Sequence, residues 1–152
     1  MQTFVLDQRL TTQANDFIAD LSLSRSEAIK RASNVVICKQ GGSVSAPACS
    51  TTAAWGAGWI VFVDTSSPPN NTLDSNETVL RVRQSLDGGN TLNAISGTNS
   101  IVFANTGLTT LSSGEIGMRF CDTRLGNNAV TVWVNFTGRA RIDRTAVASC
   151  TS

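Results

Sequence analysis

Residues 3 to 33 contain neither glycine nor proline, and the stretch carries apolar residues at helical spacing. Leu6, Leu10, Phe17, Leu21 and Ala28 recur near multiples of 3.6, while Asp7, Gln13, Asp20 and Glu27 fall mostly off that stripe. The pattern predicts one helix on the order of 45 Å long at 1.5 Å per residue. The mean helix of a globular domain has about 11 residues. A helix three times that length outgrows the core of a 152-residue chain, so its first half is expected to protrude or to pack on another molecule.

After Ser33 the pattern changes to short apolar runs of β type. These are Val35-Val36-Ile37-Cys38, Trp59 to Val63, Thr78 to Arg83, Ile101-Val102-Phe103, Ile116 to Cys121, Ala129 to Phe136 and Arg139 to Ile142. A Gly/Ser/Ala/Pro loop covers 41–54 and a polar loop covers 65–76. Asp87-Gly88-Gly89-Asn90, Gly126-Asn127-Asn128 and Thr137-Gly138 supply turns. The expected fold is α+β: a helix over 1–33 and a β-rich head over 34–152, together one domain, with about seven strands in an antiparallel sheet packed on part of the helix.

Catalysis finds little support. Histidine is absent, which excludes Ser-His-Asp and Cys-His machinery and every His-ligated metal site. Lys30 and Lys39 stand in no Ser-x-x-Lys pattern. Asp64 and Asp74 are the pair a glycosidase would need, but they sit in a polar loop, a poor platform for such chemistry. No glycine-rich phosphate loop joins a strand to a helix, and no cofactor is implied. Charged residues are only 15% of the chain and the net charge is +1, so no strong global field recruits a polyanion. The charge is nevertheless uneven: from Arg119 onward five arginines face only Asp122 and Asp143. Ten of the twelve basic residues are arginine, the side chain suited to bidentate contacts with carboxylate or phosphate.

Four cysteines, at 38, 49, 121 and 150, form no C-x-x-C pair, which weakens zinc-ribbon and thioredoxin readings. An even count in a Ser/Thr/Asn-rich chain points to disulfides and an oxidising compartment. Three connectivities exist. Cys38–Cys49 with Cys121–Cys150 is favoured, because each first cysteine ends a β run and each second lies in coil. Four buried thiols are the alternative. No secretory signal or bilayer-length apolar run is visible, so the expectation is that Met1 stands in place of a native targeting segment.

The ordered set Arg25-Ser26-Glu27-Ala28, Val35 to Cys38, Gly58 to Asp64, Asp74 with Glu77 and Val79-Leu80-Arg81, Ile101-Val102-Phe103 before Gly107, Phe120-Cys121, and Gly138-Arg139-Ala140-Arg141 resembles the GspH/FimT class of type IV pilin-like proteins over nearly the whole chain. The family's hydrophobic N-terminal half-helix and its peptidase site are not in the sequence. The resemblance implies a type IV pilin fold and an inner-membrane anchor. It also implies a periplasmic head before assembly, then a place in a surface pilus beside other major and minor pilins. Three roles compete: a minor pilin that primes or caps a pilus, a pilus-associated receptor for extracellular DNA in transformation, and a pseudopilin of type II secretion.

Gly138-Arg139-Ala140-Arg141 resembles the G-R-x-R element associated with DNA binding in FimT-like pilins. In a strand Arg139 and Arg141 share one face, and Arg144, Arg119 and Arg124 would widen the patch for double-stranded DNA through non-specific phosphate contacts. The alternative is a solvated strand edge on which arginine blocks edge-to-edge pairing. Asp64, Asn70, Asn71, Asp74 and Glu77 offer calcium-type oxygens, but without a central glycine and with Pro68-Pro69 between them they read better as a loop of Asx turns. Arg81 and Arg83 are expected to pair locally with Asp64, Glu77 or Asp87. Trp55, Trp59 and Trp133 are expected to fill the core or to cover the loop between the first two cysteines. Asp7 and Asp20 with Arg9 read as a solvated helix face. An exported adhesin-type module unrelated to filaments is a further alternative.

Overall fold

The computed structural model describes residues 2–111, 114–124, 129–144 and 150. The turn expected at Gly126-Asn127-Asn128 lies outside the described residues. Helix α1 spans Gln2–Arg31. It ends two residues before the expected point because Ala32 turns left-handed, at φ 52°. The amide of Ala32 then donates to the Ile29 carbonyl and that of Ser33 to the Ala28 carbonyl, the paired bonds of a Schellman cap. Lys30 and Arg31 in the last turn complement the negative end of the helix dipole. No helix among the described residues is long and apolar enough to cross a membrane.

Eight strands follow: β1 (Asn34–Lys39), β2 (Trp59–Asp64), β3 (Val79–Val82), β4 (Thr91–Ala94), β5 (Ser100–Phe103), β6 (Glu115–Cys121), β7 (Ala129–Asn135) and β8 (Ala140–Asp143). They form two four-stranded sheets, ordered β3-β2-β1-β5 and β4-β6-β7-β8, with every pairing antiparallel. The α+β class is the expected one. The division into two sheets and the strand β4 are not in the sequence reading. Thr91, Asn93 and Ala94 have no strong strand preference, and Leu92 alone drives its side chain fully into the core.

α1 packs across both sheets. Leu10, Ala14, Phe17, Leu21 and Ala28 are buried, so burial reaches well into the half expected to protrude, and Phe4 and Val5 near the N-terminus are exposed. Phe17 sits at the centre, with edge-to-face contacts to Trp59 at 5.2 Å, Phe120 at 6.1 Å and Trp55 at 6.2 Å between centroids. Val35 and Ile37 of β1 face this main core, whereas Val36 and Cys38 join Ile60, Phe62 and Val102 in a second cluster against Cys49 and Leu73. β1 and β2 are thus covered on both faces, which explains their continuous rather than alternating apolar runs. Disulfides join Cys38 to Cys49 and Cys121 to Cys150.

Three expectations are corrected here. Asp20 is not on a solvated face; it is completely buried. Its carboxylate accepts hydrogen bonds from Trp59 Nε1 at 2.8 Å, Arg81 Nη1 at 3.2 Å and Arg83 Nε at 2.9 Å. Arg81 and Arg83 therefore pair with the helix rather than with Asp64, Glu77 or Asp87. The hydrogen bond to Asp20 is the main reason the Arg83 guanidinium is held above its ordinary pKa. The physical cause is position: Asp20 falls three residues after Phe17 and one before Leu21, inside the stripe that meets β2 and β3, where burial demands charged donors. Trp133, unlike Trp55 and Trp59, is not in the core and lies half-buried on the outer face of the second sheet.

The loop after β2 is held by its own carboxylates. Asp64 accepts from the amides of Ser66 and Asn71, Asp74 from Ser66 Oγ and Asn70 Nδ2, and Glu77 from the amides of Thr65 and Asp74. The oxygens that a cation would need are engaged by loop donors, as in an Asx-turn loop.

Candidate functional site: the arginine-bearing edge of the second sheet

β8 is the edge strand of its sheet and runs alongside α1. Gly138, at the start of this edge, is packed near Arg25, and Arg144, at its end, donates from Nη1 to Thr11 Oγ1 at 2.9 Å. Strand and helix therefore run in opposite directions. Gly138 has φ 86°, and a Cβ there would stand 2.6 Å from the Gly107 carbonyl oxygen. Glycine is required by both the conformation and the contact. It gives the turn that opens β8, closed by a bond from its amide to the Asn135 carbonyl.

Register fixes the direction of the arginines. Arg141 pairs with Trp133 of β7, and the Asn135 amide donates to the Arg139 carbonyl. Arg139 and Arg141 thus belong to the outward set with Trp133, opposite the buried Val132 and Val134. Both are exposed, as is Arg144. Arg141 meets Glu115 at 3.2 Å and lies over the Trp133 ring, 5.5 Å from its centroid. Gly117 makes room for that ring, since a Cβ there would stand 2.7 Å from it. Arg119, half-buried, has Thr131 as its partner across β7 and so belongs to the same outward set, two strands from β8.

Arg124 does not join the patch. Its guanidinium bonds Asp122 at 2.8 Å and Asp7 at 2.7 Å. These bonds, Asp122 first, hold it above its ordinary pKa. The five arginines thus divide: Arg139 and Arg141 lie together and outward, Arg119 flanks them, Arg144 is tied to the helix and Arg124 staples the far end. Among the described residues no group of acidic or cysteine side chains is placed to hold a metal.

Arg25 stands behind this edge, and in the sequence only the family pattern Arg25-Ser26-Glu27-Ala28 singles it out. It lines a cleft between α1 and β8 with Ile18, Leu21, Ser22, Ser26 and Arg139. Its sequence signal is its position seven residues after Ile18 and four after Leu21, on the flank of the helix that meets β8.

A family model described as Type II transport protein GspH matches residues 13–138, most of the chain and ending just before Arg139. A comparison with curated proteins finds no match by sequence. Among solved structures, the type IV minor pilin FimU of Pseudomonas aeruginosa is similar with TM-score 0.70 and 18% identity, covering 97% of this chain and 98% of that one. The minor pseudopilin EpsH of the Vibrio cholerae type 2 secretion system is similar with TM-score 0.60 and 12% identity, covering 93% and 99%.

Proposed function

The chain belongs to the GspH family of type II transport proteins, and from that premise we propose that it is a minor pilin-like subunit whose head captures extracellular double-stranded DNA on the outer face of β8. The family is one of structural pilins and pseudopilins, subunits that associate with other pilins in a filament. The observation that carries the DNA reading is the pair of exposed guanidiniums at two-residue spacing, Arg139 and Arg141, on one face of an edge strand. Arg139 forms no ion pair among the described residues. Phosphate contacts of this kind position a protein on a duplex without reading sequence.

Two or three phosphate contacts give a slope of log affinity on log salt of roughly −1.8 to −2.7, so binding weakens about 12- to 40-fold between about 50 and 200 mM salt. The test is a duplex DNA titration at both salts, comparing wild type with the double variant Arg139→Ala/Arg141→Ala. The variant is expected to lose binding and most of the slope while keeping its circular dichroism. Absence of wild-type binding at the lower salt refutes the reading.

A second reading has its own support. Arg141 is partly occupied by Glu115 and Trp133, and Arg124 and Arg144 are engaged inside the molecule. A subunit that primes or caps a type IV pilus or a secretion pseudopilus through protein contacts alone fits these pairings. It gives no salt-dependent DNA binding.

A further inference from the structure

The cleft between α1 and β8 has a volume of about 380 Å³ and is open to the surface. Two cationic residues, Arg25 and Arg139, line it, and no acidic residue does. The Nε of Arg25 is buried and has no hydrogen-bond partner. Neither Arg25 nor Arg139 forms an ion pair among the described residues. The acidic residues on this half of the helix are committed elsewhere: Asp20 to Arg81 and Arg83, and Glu27 to Arg31 at 2.6 Å. A buried guanidinium N–H without an acceptor calls for an explanation, and an anion from outside the molecule supplies one.

The Arg25 stem is held in place. A Cβ on Gly138 would stand 3.3 Å from Arg25 Cδ, and a Cβ on Gly107 would stand 3.3 Å from Arg25 Nε. The two glycines, both at positive φ, thus form a slot for the side chain and limit the rotamer freedom that binding must remove. Exposed apolar residues stand near the slot. Ile29, whose Cδ1 reaches Gly107, is 52% exposed; Leu108, next to the Thr109 whose amide donates to the Phe136 carbonyl, is 44% exposed and Phe136 45%. Ile18 and Leu21 line the cleft itself.

We propose that this cleft seats an Asp or Glu side chain, flanked by apolar residues, from a neighbouring filament subunit. A carboxylate meets the guanidinium fork in bidentate fashion, Ser22 and Ser26 offer further donors at the rim, and the apolar flanks of such a segment cover Ile29, Leu108 and Phe136. A duplex phosphate brings no apolar surface to cover those residues. The assignment goes beyond the DNA reading and meets it only at Arg139, so Arg25 separates the two.

The test uses the 152-residue chain, isotope-labelled, with acetyl-Leu-Glu-Leu-amide, its Gln counterpart and dimethyl phosphate as probes. The Glu peptide is expected to shift the amide resonances of Gly107 and Gly138 and the Arg25 Nε–H signal, and the Gln peptide to bind about tenfold more weakly. Arg25→Gln is expected to remove that tenfold preference, and Arg141→Gln, on the outer face of β8, to leave peptide binding unchanged. Equal binding of the Glu and Gln peptides to wild type overturns the proposal without recourse to any variant. So does tighter binding of dimethyl phosphate than of the Glu peptide. Failure of DNA binding alone leaves the carboxylate seat standing.

Discussion

Replacing Asp20 by alanine tests whether the helix is riveted to the first sheet through a buried charge. Four hydrogen bonds converge on this carboxylate: from Trp59 Nε1 at 2.8 Å, Arg81 Nη1 at 3.2 Å, Arg83 Nε at 2.9 Å and Arg83 Nη2 at 3.1 Å. Trp59 is 1% exposed, so its indole N–H, once orphaned, finds no water, a cost of about 1–3 kcal/mol. The arginine side chains are 41% and 28% exposed and can turn to solvent, which limits their loss to roughly 0.5–1 kcal/mol each. The total is about 3 kcal/mol, at the low end for breaking a buried ion pair. For a domain of this size that lowers Tm by roughly 6–12 °C. The assay is thermal and urea unfolding with the disulfides intact, so that two-state treatment holds. Asp20→Asn, which keeps an acceptor for Trp59, is expected to lose about half as much. A double-mutant cycle with Arg83→Gln should return a coupling of at least about 1 kcal/mol. An Asp20→Ala variant within about 0.5 kcal/mol of wild type, the range of an ordinary surface substitution, refutes the reasoning.

Gly138→Ala forces a Cβ into a left-handed residue and to 2.6 Å from the Gly107 carbonyl oxygen. It is expected to destabilise by about 2 kcal/mol or more and to disturb the slot that the two glycines form, visible as shifted amide signals at Gly107; unchanged stability would show that the motif glycine has no structural role. Opening the disulfides removes loop constraints of 11 residues for Cys38–Cys49 and 29 for Cys121–Cys150. The chain-entropy account gives roughly 3 and 4 kcal/mol, so Cys121→Ser/Cys150→Ser should lower the urea midpoint more than Cys38→Ser/Cys49→Ser. The reverse order would count against that account.

The helix, the strand runs of β1, β2, β6 and β7, and the excess of arginine after residue 118 were legible because each rests on local pattern: period 3.6, continuous apolar residues, or simple charge. The glycine at 138 was legible as a turn residue. Its contact with Gly107 was not, because the two positions are 31 residues apart and meet only through the fold. The strand β4 was not legible for the same reason, since its inward residues, Leu92 and the smaller Ala94, find their reason in the core that β6 and α1 complete.

The site divides along the same line. Period two alone put Arg139 and Arg141 on one face, and the pairing of β8 with β7 made that face the outward one. Only the tertiary structure removed Arg124 from the patch, by bringing Asp7 from the far end of the helix to within 2.7 Å. It likewise took Arg81 and Arg83 away from their sequence neighbours and gave them to Asp20, and it placed Arg25 beside Arg139 across 114 residues. A sequence states which side chains carry charge. Which charges find partners depends on distances that close only when the helix docks on the sheets, because a Coulomb or hydrogen-bond contact acts over a few ångströms of space.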